Sequence, residues 1–148
     1  MKQPEKILAS ENAGRVIYTA STRTIGGRES GASRSSDGRL DVTFALPGSR
    51  RIGTNPEQLF AAGWSACFES AIALAARRHK VALNAVIIDA EVDLHLAGTD
   101  DYSISARFNI SLPGIDRGVA GQLVEDAGQL CPYSKATRGN VSVALNLI

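Results

Sequence analysis

The stretch that decides the fold is Asn55 to Lys80, NPEQLFAAGWSACFESAIALAARRHK. Asn55 can cap a helix, Pro56 suits the first helical position, and Gln58 sits where a capping box wants it. From Leu59 to Ala76 the segment is apolar almost all the way round, with Glu69 as its single charge. Arg77, Arg78, His79 and Lys80 then place cations where the helix dipole favours them. A helix apolar on every side is surrounded by protein. One small domain does not easily cover so much apolar surface, which points to a partner subunit.

Downstream of this helix, Ile88, Ala90, Val92, Leu94 and Leu96 alternate with Asp89, Glu91, Asp93 and His95. After Ala97-Gly98-Thr99-Asp100-Asp101, the residues Tyr102, Ile104, Ala106, Phe108, Ile110 and Leu112 alternate in the same way. This is a β-hairpin with one solvated face. Asp116 caps an amphipathic helix carrying Val119, Leu123, Ala127 and Leu130, and Pro132 reads as its stop. Val141, Val143, Leu145 and Leu147 form a last strand. Upstream, Val16 to Thr24 reads as a strand, Gly26 to Gly31 as a glycine-rich turn, and Leu40 to Leu46 as a second strand. Strands, buried helix, hairpin, helix, strand is an α+β order, not a doubly wound sheet.

A chain of 148 residues is one domain, 1–148, with a polar N-terminal arm at 1–14. The 44% apolar and 21% charged content is that of a globular protein. A net charge of +1 gives no electrostatic case for nucleic acid or an acidic membrane surface. No apolar run approaches a membrane span, and MKQPEKILASENAG lacks a signal-peptide stretch, so a cytoplasmic protein is expected. Two cysteines and two separated histidines make a poor metal set, so no metal is expected.

Cys67 and Cys131 carry two readings. Free cysteine is among the most buried residue types, so both can be plain core. As nucleophiles they differ. Cys131 follows a helix end, where partial negative charge disfavours a thiolate, so Cys67 is the better candidate. No Lys or Arg lies within nine residues of Cys67, so a cation must come from elsewhere in the fold or from another subunit. Arg28, in Gly-Gly-Arg-Glu, is a lead because glycines let the backbone approach another element closely. His79 and His95 read as solvated, and no G-x-S-x-G is present.

TNPEQLFAAGWSACFESA (Thr54 to Ala71) and CPYSKATRGNV (Cys131 to Val141) resemble the organic hydroperoxide resistance branch of the OsmC/Ohr family. TRTIGGRESG, SSDGRLDV and NISLPGI extend the resemblance from about Val16 to the C-terminus. Trp64 departs from it, standing where a tyrosine is expected. The resemblance implies curved antiparallel sheets around a buried central helix pair, in an intertwined homodimer with active sites at the subunit interface. It implies a thiol peroxidase that reduces alkyl, aryl and fatty-acid hydroperoxides to alcohols. Cys67 would be the peroxidatic cysteine, Cys131 the resolving one, Arg28 the catalytic arginine and Glu57 the carboxylate that orients it. No bound cofactor is implied. The external reductant would be a dihydrolipoyl group on a lipoylated protein.

Those roles are chemically coherent. A free thiol with pKa ~8.5 is only about 3% thiolate at pH 7, and the thiolate is the nucleophile. A guanidinium stabilises the thiolate and the developing alkoxide without losing its proton. Phe60, Trp64 and Phe68 would line an apolar substrate site. The rival readings are the sister OsmC branch, a non-catalytic thiol redox sensor or ligand-binding dimer, and a structural dimerisation domain.

Overall fold

A computed structural model describes residues 14–148, so all but the last residue of the expected N-terminal arm lies outside the described residues. In chain order the elements are β1 (Thr22–Ile25), α1 (Gly27–Ser30), β2 (Ala32–Ser35), β3 (Asp41–Thr43), α2 (Pro56–Arg78), β4 (Ile87–Ala97), β5 (Asp101–Ser111), α3 (Arg117–Leu130), α4 (Pro132–Thr137) and β6 (Ser142–Leu147). Strands β1-β2-β3 form an antiparallel sheet, and β4-β5-β6 form a second, mixed sheet. The architecture is α+β.

The helix starts follow the sequence. The Asn55 side chain accepts the Gln58 backbone N–H at 2.8 Å, and Pro56 opens α2. Asp116 accepts the N–H groups of Gly118 and Val119 at the start of α3. Trp64, Phe68, Ala71, Ile72, Ala75 and Ala76 form the buried stripe of α2. They pack with Leu123, Val124 and Ala127 of α3 and with Ala106, Phe108 and Ile110 of β5 into one core.

Several expectations are corrected. The strand expected over 16–24 pairs only at Thr22–Ile25, because β2 ends at Ser35 and the chain turns away; Val16 and Ile17 are left exposed. The strand expected over 40–46 is held to Asp41–Thr43, with Phe44 bridging Thr54 beyond it. The Gly26–Gly31 turn closes as one helical turn, α1. Pro132 ends α3 but also begins α4, since proline is preorganised for a first helical position. Strand β6 runs parallel to β5, so the second sheet is mixed, not antiparallel. In α3, Val119 of the first turn is open to solvent and Ala120 is buried instead.

The hairpin registers Ile88 with Ile110, Ala90 with Phe108 and Leu96 with Tyr102. Its alternation yields a buried face only in the half next to Ile88 and Ile110. Leu94, Leu96 and Tyr102, expected on the core side, are exposed. Eleven-residue strands run roughly 35 Å, whereas two helices side by side cover about 20 Å. Among the described residues, the outer half of the apolar face has no cover. The β1–β3 sheet makes its main tertiary contacts within itself.

Helix α2 also corrects the expectation about membrane spans. Its 23 residues, with a mean hydropathy of 1.5 in the richest window, reach the length and composition of one. Alanines supply much of that hydropathy. Its stripe of larger side chains faces α3 and the second sheet.

Candidate active site

The two cysteines meet. Cys67 lies in the middle of α2, and Cys131 is at once the C-cap of α3 and the N-cap of α4. Their sulfurs are 3.4 Å apart and both thiols are free. That is hydrogen-bond distance for thiols and more than an ångström beyond an S–S bond of ~2.05 Å. Cys67 is half-buried, whereas Cys131 is fully buried behind it. A small electrophile can reach Cys67 first.

Burial pushes the Cys67 thiol above its ordinary pKa. The Tyr133 backbone N–H opposes that rise, while the adjacent Cys131 thiol adds to it. Among the described residues, no guanidinium acts on this sulfur. Cys67 alone is therefore a weak nucleophile at neutral pH.

Arg28 and Glu57 meet each other elsewhere. Gly26 and Gly27 have φ of 83° and 66°, a region that residues with a Cβ rarely adopt. A Cβ on Gly31 would stand 2.3 Å from the Ile25 carbonyl oxygen. Only this glycine set lets the chain wind so tightly around Arg28. The Arg28 guanidinium bonds the Glu57 carboxylate, which occupies the first turn of α2 where the helix dipole favours an anion. Glu57 and Cys67 are ten residues apart, about 15 Å along the helix axis. The pair is out of reach of its own Cys67.

Arg28 and Glu57 line a cleft of about 550 Å³ with Ala61, Ala90, Val92 and Leu94. Of the three aromatics expected as substrate lining, Phe68 is fully buried against Phe108 and belongs to the core. Trp64 is 1% exposed and its indole N–H donates to Ser134 Oγ at 3.1 Å. Phe60 lines a second, apolar cleft of about 590 Å³ with Leu94, Tyr102, Ile104 and Val141. His79 pairs with Asp126 at 2.5 Å and His95 with Ser105 at 2.7 Å, both on exposed surface. Among the described residues, no cluster of histidine, cysteine and carboxylate groups could hold a metal. The residue reading missed the Tyr133 N–H and the Ser134 hydroxyl. Their position just after Cys131, in Cys-Pro-Tyr-Ser, was the available signal.

A family model described as OsmC-like protein matches residues 47–146, the segment holding both cysteines. This chain belongs to the OsmC-like family. The family member most informative about its branch is the organic hydroperoxide resistance protein of Xanthomonas axonopodis pv. citri, 42% identical over 99% of both chains. Organic hydroperoxide resistance protein OhrB of Bacillus subtilis is 39% identical over 88% of this chain and 98% of its own. Among solved structures, an organic hydroperoxide resistance protein OsmC from Legionella pneumophila superposes with a TM-score of 0.84 at 38% identity. It covers 90% of this chain and 98% of that one. A putative organic hydroperoxide resistance protein from Vibrio cholerae, with captopril in one of its active sites, has a TM-score of 0.85 at 34% identity. That match covers 92% of this chain and 95% of that one. The OsmC-like fold is thus shared along nearly the whole described chain.

Proposed function

We propose that this OsmC-like chain is a thiol peroxidase that reduces organic hydroperoxides to alcohols. The observation that carries the reading is the 3.4 Å approach of a half-buried Cys67 to a buried Cys131. The names of the relatives, organic hydroperoxide resistance proteins, supply the substrate class. Cys67 thiolate attacks the distal peroxide oxygen, the O–O bond breaks, and the products are Cys67 sulfenic acid and an alkoxide that takes a proton from water. The Cys131 sulfur then attacks the sulfenic sulfur. An S–S bond forms, the S–O bond breaks, and hydroxide leaves with the Cys131 proton as water. Two thiols of a dihydrolipoyl group, carried by a lipoylated protein, return the disulfide to two thiols and become a lipoyl disulfide.

The working unit in this reading is a cytoplasmic homodimer. The Arg28–Glu57 pair cannot reach Cys67 on its own helix, but two antiparallel α2 helices bring it to the partner subunit's Cys67. There the guanidinium offsets the burial that holds the thiol up and donates to the developing alkoxide. Open Leu94, Leu96 and Tyr102, and the exposed Ala62 and Ala66 of α2, are apolar surface for such a partner. The apolar cleft at Phe60 favours alkyl and aryl hydroperoxides over hydrogen peroxide.

The test is steady-state consumption of tert-butyl or cumene hydroperoxide with dihydrolipoamide, recycled by lipoamide dehydrogenase, with thioredoxin as the competing donor. Lipoyl-specific turnover abolished by Cys67→Ser is expected. Consumption of one equivalent per subunit without turnover would replace the peroxidase with a thiol redox sensor.

A further inference from the structure

We propose that Trp64 and Ser134 are positioning residues for the resolving step, acting as a latch that holds the Cys131 segment against α2. The proposal rests on the thiol chemistry above and adds to it two residues that touch neither peroxide nor sulfur. Trp64 stands three residues before Cys67, and Ser134 three residues after Cys131. The bond from the indole N–H to Ser134 Oγ therefore spans the same two segments as the sulfur pair, about one helical turn away from it. Among the described residues, it is the one hydrogen bond between side chains of α2 and α4 themselves.

The indole is an anchor because everything else about it is fixed. Its ring packs edge-on against Phe60 at 5.5 Å and against Phe108 of β5 at 5.1 Å. It has no solvent to bond, so Ser134 satisfies its single donor. Ser134 in turn lies in the first turn of α4, which opens with the Lys135 N–H bonded to the Cys131 carbonyl at 3.0 Å. On the adjoining face of α2, Gly63 leaves room for the Tyr133 ring, whose hydroxyl oxygen would lie 3.2 Å from a Cβ there. Gly63 and Cys67 are four apart and share a helix face. The Tyr133 ring on Gly63 and the Ser134 hydroxyl on Trp64 thus seat α4 against α2 at two points.

The consequence falls chiefly on the second chemical step. Disulfide formation needs Cys131 to move in by more than an ångström along a defined line. Loosening the latch slows this step more than the attack on peroxide and lengthens the life of the sulfenic acid. A second hydroperoxide then oxidises it irreversibly to sulfinic acid, releasing a second alcohol.

The test is a rapid-mixing measurement on the full chain with cumene hydroperoxide. Dimedone trapping in a Cys131→Ser background reads sulfenic acid formation. Thiol titration and intact mass read disulfide and sulfinic acid in chains that keep Cys131. Ser134→Ala carries the test, because it removes one hydroxyl from a half-buried site, and Trp64→Phe is its counterpart. Each is expected to slow disulfide formation roughly two- to tenfold, the worth of one neutral hydrogen bond. Each should raise the sulfinic fraction and slow disulfide formation by a larger factor than sulfenic acid formation. Ser134→Thr, which keeps the hydroxyl, should restore resolution, and the double variant should be no slower than the worse single one. Wild-type rates and wild-type sulfinic yield in Ser134→Ala would overturn the latch while leaving the peroxidase reading intact. Absence of any disulfide in the wild-type chain would overturn both.

Discussion

Arg28 is ion-paired to Glu57 and not to Cys67, although all three read as one catalytic set in the sequence. Within one chain, Arg28 of α1 is tied to the first turn of α2, whereas Cys67 lies in the middle of that helix. The sulfur is left to burial, which raises its pKa, and to one backbone N–H, which lowers it. In the proposed homodimer, the guanidinium of one subunit would meet the thiol of the other.

The pH profile of Cys67 follows. Burial disfavours the thiolate and a guanidinium favours it, so removing the cation moves thiolate formation to higher pH. Arg28→Ala is expected to shift the iodoacetamide reactivity profile of Cys67 upward in pH. It should also lower the rate constant with cumene hydroperoxide by roughly 10²-fold, the scale of losing one donor to a developing oxyanion. Glu57→Gln should act in the same direction and less strongly. Superimposable profiles would show that Arg28 never reaches the sulfur.

Subunit complementation checks the geometry directly. Arg28→Ala and Cys67→Ser chains should each be inactive alone. Mixed by unfolding and refolding together, they form heterodimers in which one site regains both an intact arginine and an intact cysteine. Activity should return to about a quarter of wild type, given random pairing and one good site per mixed dimer. No recovery would place arginine and cysteine of one site on one chain.

The core makes a quantitative prediction. Phe108 is fully buried where the Trp64 and Phe68 rings meet it edge-on. Phe108→Ala should cost about 3–5 kcal/mol in urea unfolding. A loss under 1 kcal/mol would mean that the three rings do not form the centre of the core.

On the polar face of the hairpin, Arg107 bonds Asp93 and also Glu91, the latter at 3.1 Å. The hydrogen bonds from Arg107 hold the Asp93 carboxyl below its usual pKa. A carboxylate depressed in the folded state stabilises the protein above its unfolded pKa. That contribution is lost as pH falls through the folded value. Arg107→Met should therefore lower Tm slightly between pH 5 and 7. The gap to wild type should close on acidification below about pH 4. A gap that widens in acid would contradict the assignment.

Much of this was legible in the residues because it is local. Asn55, Pro56 and the cation cluster at Arg77 and Arg78 state where α2 begins and ends, since caps and dipoles act within a turn. The period of two from Ile88 to Leu112 states the hairpin, because side chains alternate along a strand whatever it packs on. The roles of Cys67 and Cys131 came through resemblance, as no periodicity links positions 64 residues apart. Only the return of α3 along α2 brings the sulfurs together, and only that packing sets the Trp64 indole on Ser134. The short strands of the first sheet were misjudged for the same reason: β1 extends as far as β2 offers hydrogen bonds, and propensity carries no record of the partner's length. Sequence alone determined the long elements, their polar and apolar faces and the chemical groups available. Tertiary structure decided which groups meet, because contact across distant segments depends on how faces pack.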